Sequence, residues 1–370
     1  MKHRVPIAIG LLVAFVAGAW ALLAPPDLPD LGPSPRVALP EAAADVRRGA
    51  SSAPAKIGAA SLLAIDSRAN PLKARATAKA SLFNEFLGAK RYKALYDRVK
   101  SSPEGQTAEG QYVMYEILRK CATITDRDMR RPLVRTSEQK RDDFVAGIPQ
   151  NDPQREKRLA AFDEVAVNRC AGMENVTITQ ADLNKMLANA AAMGDAKAQA
   201  LAMEQEMWAA RRASGPQGRW GRDNVTLSDP QVNSLQQIVA SRDPAAMVTA
   251  GRILAGTWHD YGLRIGPENQ PVEQRAFAQA WQLLACDYGY PCDESNERVL
   301  NACAYQGHCD ANSLPDYLFY YGASPHDSQL TAQYREVLRN AIETGNWSQL
   351  TVVRGVSTPD RRVFSRPGGP

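Results

Sequence analysis

Four of the chain's six cysteines lie in one stretch, Trp281 to Asp310, where they fall into two matching halves. LLACDYGYPCD and LNACAYQGHCD align Leu283 with Leu300, Ala285 with Ala302, Cys286 with Cys303, Tyr288 with Tyr305, Cys292 with Cys309 and Asp293 with Asp310. Each half reads as a helix end followed by a closed loop. The first cysteine sits in the last helical turn, the chain reverses near Gly289 or Gly307, and the second cysteine returns within reach of the first. Glycine is the usual residue at the left-handed position that ends a helix. A bond across so short a loop removes unfolded-chain entropy worth roughly 2 kcal/mol. The local repeat pairs Cys286 with Cys292 and Cys303 with Cys309, leaving Cys121 for Cys170 across a loop of about 50 residues, worth roughly 4 kcal/mol on the same basis. Cross-pairing of the two loops, as in Cys286 with Cys309, is the main competing arrangement.

An even cysteine count suits an oxidising compartment, where disulfides persist. The first residues agree with export: basic Lys2-His3-Arg4 precedes an uncharged run from Val5 to Ala24. That run is long enough to span a bilayer, and Ala17-Gly18-Ala19 or Ala19-Trp20-Ala21 has the form of a cleavage site. Residues 1–24 are therefore expected to be a signal peptide or an N-terminal membrane anchor, with the basic flank left in the cytosol. Residues 25–56 carry seven prolines, Pro25 to Pro54, and read as a Pro/Ala-rich linker. The expected location is periplasmic or extracytoplasmic, either anchored in the inner membrane or secreted.

From 57 to 354 the pattern is helical. Tyr92, Leu95, Tyr96 and Val99 recur at i, i+3, i+4 and i+7, as do Met114, Ile117, Leu118 and Cys121. SSPEGQTAEG, Ser101 to Gly110, breaks between those stripes and predicts a helical hairpin. Leu159, Phe162, Ala166 and Cys170 form a further face, and Thr177 or Thr179 can cap a helix striped by Leu183, Met186, Leu187 and Ala190. Residues 125–156 lose the periodicity and gain interleaved charges, so they read as a solvated polar connection at which the domain can be subdivided. Ser214 to Asp229 is glycine-rich without the lysine of a phosphate-binding loop, and reads as a surface excursion. Residues 355–370 form a polar, Pro/Gly-rich tail expected to be disordered.

AAAMGDAKAQ, Ala190 to Gln199, resembles the core of Sel-like repeats, helix-turn-helix relatives of the tetratricopeptide repeat. Ser241 to Ala255 echoes its acid-small-alanine turn without the glycine, and Ala276 to Cys286 is similar to the family's second helix. The turns at Asp195 and Asp243 stand further apart than the family's unit. The resemblance implies an all-α fold of stacked antiparallel helical hairpins, a repeat-like superhelix stapled by disulfides. Such folds usually serve as interaction surfaces, which is an analogy of fold and not of chemistry.

Candidate chemistry is sparse. With 44 basic and 40 acidic residues the formal charge is +4 and dispersed, which argues against nucleic acid. A zinc site in the C-x5-C-x10-C-x5-C stretch, helped by His308 or His326, conflicts with the closer ligand spacing of structural zinc and with export. His259-Asp260 and His326-Asp327 lack the further ligands of a metal hydrolase. Glu294-Ser295 resembles the Glu-Ser element of lytic transglycosylases, but that family's downstream Gly-Leu-Met-Gln stretch is absent. Tyr317, Tyr320 and Tyr321 can line a groove or fill a core. No catalytic, cofactor-binding or metal-binding residue is assigned, and no cofactor is expected. The expected function is a protein-binding or scaffold module of the cell envelope, with another envelope or extracellular protein as partner. The alternative is an envelope hydrolase acting on cell-wall material, for which Glu294 and His259 are the residues to substitute.

Overall fold

A computed structural model describes residues 81–125, 136–213, 227–256 and 261–354. The N-terminal apolar run, the linker, most of the glycine-rich loop, His259 and the 355–370 tail lie outside the described residues. Among the described residues the chain is mostly helical, and no helix is long and apolar enough to cross a membrane.

The first helices follow their caps and stripes. Helix α1 (Leu82–Gly88) starts at Ser81, whose hydroxyl accepts from the Asn84 N–H at 3.1 Å; α2 (Tyr92–Ser101) follows, and α3 (Ala108–Lys120) starts at Thr107, which accepts from Gly110 at 3.0 Å. Their apolar faces meet in an N-terminal core that includes Phe86, Tyr92, Val99, Ile117 and Leu118.

The expected polar connection is only partly one. Ser137–Gly147 forms α4, opened by a reciprocal cap between Thr136 and Gln139, and Phe144 stacks on Phe162 with ring centres 4.0 Å apart. Phe162 ends α5 (Arg155–Phe162), which runs on as a wider π-helical segment, Asp163–Asn168, towards Cys170.

Four helices then follow in sequence, each packed against the next: α6 (Gln180–Ala192), α7 (Ala196–Ala213), α8 (Asp229–Ala240) and α9 (Pro244–Ala255). Their two tight turns are built alike. Gly194 (φ 91°) precedes Asp195 before α7, and Arg242 (φ 55°) precedes Asp243 before α9. The left-handed conformation costs a non-glycine residue roughly 1 kcal/mol, and Arg242 meets it while donating from Nη2 to the Ile342 carbonyl at 3.1 Å. Both aspartates cap: Asp195 accepts from Ala198 at 2.9 Å, and Asp243 from Ala245 and Ala246 at 3.0 and 2.9 Å. Buried Lys197 joins the two turns, its Nζ 3.1 Å from Oδ2 of each. The ammonium also lies over the Phe83 and Tyr112 rings, at 5.5 and 5.8 Å.

The C-terminal part is not purely helical. A three-stranded antiparallel sheet, in the order β2-β1-β3, joins β1 (Tyr261–Ile265), β2 (Gln270–Pro271) and β3 (Leu350–Arg354). Leu263 faces Val352 and Ile265 faces Leu350, and all four are buried. This apolar face covers a core shared with α8, α9, α10 (Gln274–Asp287) and α12 (Pro325–Thr344), whose centre is Phe277 and Trp281. Between α10 and α12 in the sequence, the short α11 (Glu297–Asn301) continues as a π-helical segment, Ala302–Gln306, and packs against α5.

Trp281 sits directly on Gly251 of α9, where an added Cβ would lie 2.3 Å from the tryptophan Cβ. Gly251→Ala is therefore expected to destabilise the fold by about 1–3 kcal/mol through overpacking, and an unchanged urea midpoint would contradict this contact. Lys197→Ala leaves two carboxylates facing one another without their cation. The expected loss is about 3–5 kcal/mol, measured by urea unfolding; a loss typical of an exposed ion pair would show that the clamp is not a buried one.

Candidate functional site

The sulfurs pair as Cys121–Cys170, Cys286–Cys292 and Cys303–Cys309, with Cα–Cα distances of 5.6, 5.8 and 4.2 Å. Cys286 lies in the last turn of α10 before Gly289 (φ 97°), and Cys303 lies in the π-helical segment before Gly307 (φ 76°). The segment between the two short loops is tied down as well: the Leu314 N–H donates to the Cys292 carbonyl at 2.7 Å, and Asp293 bridges to Ser313.

These bonds frame a cleft of about 390 Å³. One wall comes from α1 and α3, a second from α9, and a third from residues 290–301 between the paired cysteines. The Cys121–Cys170 bond joins the immediate neighbours of two lining cations, Lys120 and Arg169. Both reach the same carboxylate. Lys120 Nζ is paired with Glu297, and Arg169 Nη1 lies 3.6 Å from it. Arg169 also donates from Nη2 to the Ser295 carbonyl at 3.4 Å, while its own carbonyl accepts from the Tyr92 N–H at 2.7 Å. The Arg169 side chain is 5 % exposed, and its Nε, fully buried, has no hydrogen-bond partner.

Five cations, Arg119, Lys120, Arg169, Arg252 and Arg298, and two carboxylates, Glu116 and Glu297, line the cleft, and from beside it Glu204 pairs with Arg252 and Glu164 lies 3.7 Å from Arg169. Arg119 grips Glu116 through two bonds, at 3.0 and 2.7 Å, and Arg252 grips Glu204 in the same way. Burial works against an ionised Glu297, yet Lys120 and Arg169 outweigh it and hold the carboxyl below its ordinary range. Burial also pushes the Tyr290 hydroxyl up to about 12 and the Tyr112 hydroxyl well above its ordinary value. Both tyrosines are therefore neutral and keep their donor protons at physiological pH. Away from the cations the lining is apolar, supplied by Phe83, Phe86, Leu87, Leu201 and Val248.

The residues singled out in the sequence fall elsewhere. Glu294 is exposed in the turn after Cys292 and does not line the cleft, whereas its neighbour Ser295 does. Tyr317 is buried and donates to Gln306 at 3.2 Å, Tyr320 is exposed, and Tyr321 stacks on His308 with ring centres 4.4 Å apart. Those three tyrosines thus divide between core and surface and do not form one groove. His326 stands in the first turn of α12. Among the described residues, no three His, Cys, Asp or Glu side chains gather closely enough to hold a metal ion. Comparison with known protein families, characterised proteins and solved structures returns no match.

Replacing both Cys121 and Cys170 with serine frees the longest disulfide loop, and is expected to lower stability by about 4 kcal/mol. The same change at Cys286 and Cys292 should cost about 2 kcal/mol, so equal losses in denaturant unfolding would count against a loop-length origin.

Proposed function

We propose that this chain is an exported, disulfide-stapled helical module that binds another protein of the envelope or extracellular space. The observation that carries the reading is the character of the cleft, whose charged groups are fixed for holding and not for transferring protons. Glycoside hydrolysis needs two carboxyl groups across the scissile bond, one of them protonated to act as an acid. Of the two lining carboxylates, Glu116 is gripped by Arg119, and Glu297 is held ionised by Lys120 and Arg169. For Glu297 that is the opposite of the adjustment a general acid requires. The matching turns at Asp195 and Asp243 fit a Sel-like hairpin stack, a fold whose usual role is recognition. The disulfides are consistent with an oxidising, extracytoplasmic location.

Two measurements on the protein purified from its own cells test this. Intact mass before and after reduction and alkylation should report three disulfides and the state of the N-terminal segment; six free thiols would sink the export reading. Crosslinking in intact cells should then recover one stoichiometric protein partner. Release of cell-wall fragments that disappears in Glu294→Gln or His259→Ala, with folding intact, would replace the binding module with a hydrolase.

A further inference from the structure

We infer that the cleft framed by the disulfides is a binding site for a small organic acid, one carboxylate carried on an apolar body. This is separate from whichever protein the module recognises. Four observations converge on it. First, a carboxylate already occupies the cationic corner: Glu297 sits on Lys120 and beside Arg169, so the geometry of that pair suits the group. Second, this resident carboxylate does not use up the charge. Arg298 donates to the neutral Gln282 and lies over the Tyr317 ring at 5.5 Å, with no carboxylate among its partners in the described residues. Third, Arg169 is buried at the cleft and keeps an unpartnered Nε. A buried donor without an acceptor is costly unless something supplies one. Fourth, the apolar end, formed by Phe83, Phe86 and Leu201, adjoins the cations within one cavity of about 390 Å³, inside the size range of small-ligand sites.

Glu297 gives the inference a sign. As the resident carboxylate it competes with an incoming one for Lys120 and Arg169, so neutralising it should strengthen acid binding. Neutralising Arg298 removes an attraction and should weaken it. A purely structural network has no reason to move an affinity in both directions.

The test uses the full disulfide-bonded protein, titrated calorimetrically with 3-phenylpropionate, with 3-phenylpropanamide as the uncharged body and with inorganic phosphate as the anion lacking a body. The acid should bind at least about tenfold more tightly than either, the worth of a charge-assisted hydrogen bond. Glu297→Gln should tighten the acid by about tenfold and Arg298→Gln should weaken it by about tenfold, with circular dichroism showing both variants folded. Equal affinity for acid and amide, equal affinity for acid and phosphate, or no binding of the acid by either the wild type or Glu297→Gln at about millimolar concentration would overturn the inference. If the acid fails while crosslinking still returns a protein partner, the binding-module reading stands and this one falls.

Discussion

The ammonium of Lys197 is the point on which the two halves of the helical domain close. It sits between the capping carboxylates of two successive interhelical turns and beneath two aromatic rings of the N-terminal core. Burial alone would lower its pKa, but Asp243 and Asp195 outweigh that and hold it above the ordinary lysine value. Burial in turn raises Asp195 despite the nearby cation. Such a triad adds little net stability over an apolar replacement of the same shape, but it is intolerant of losing one member. Its consequence is registry: α7 and α9 start from one shared point, and α1 and α3 are laid over that point.

The disulfides act further along the same surface. Two of them close local loops at helix ends, and the third spans a long separation to place Lys120 and Arg169 side by side. Without covalent support, the Lys120 ammonium and the buried Arg169 guanidinium would tend to separate and hydrate, because like charges repel and desolvation penalises each of them. The cleft keeps them together with a single shared carboxylate. The stapled stretch that dominates the sequence therefore works as a wall of the site, and its cysteines position chemistry carried by their neighbours.

Legibility followed the length and one-sidedness of each pattern. The stripes of α2, α3 and α6 span several turns with one apolar face, so periodicity alone places them. Helix α4 escaped because it buries none of its residues and shows no apolar face, although Thr136 and Gln139 stand at the spacing of a reciprocal cap. The strands escaped for a different reason. Leu263-Arg264-Ile265 and Leu350-Thr351-Val352 do alternate, but each run is too short to separate from a helix end until it finds its partner, and that partner lies far along the chain. Arg242 carried no local sign of a left-handed turn, since glycine normally marks that conformation.

The sequence by itself determined the helical character of the chain through its periodicity, and its local repeat favoured closed loops at Cys286 and Cys303 with Cys121 left for Cys170, while the structure decided that pairing over the cross-paired arrangement. Only the tertiary structure decided the sheet and the cleft. Phe83, Lys120, Arg169, Arg252 and Glu297 come from distant parts of the chain, and none belongs to a motif. Their shared environment arises from helix packing, and it is that environment, with its buried guanidinium and the uncompensated Arg298, that turns ordinary residues into a site.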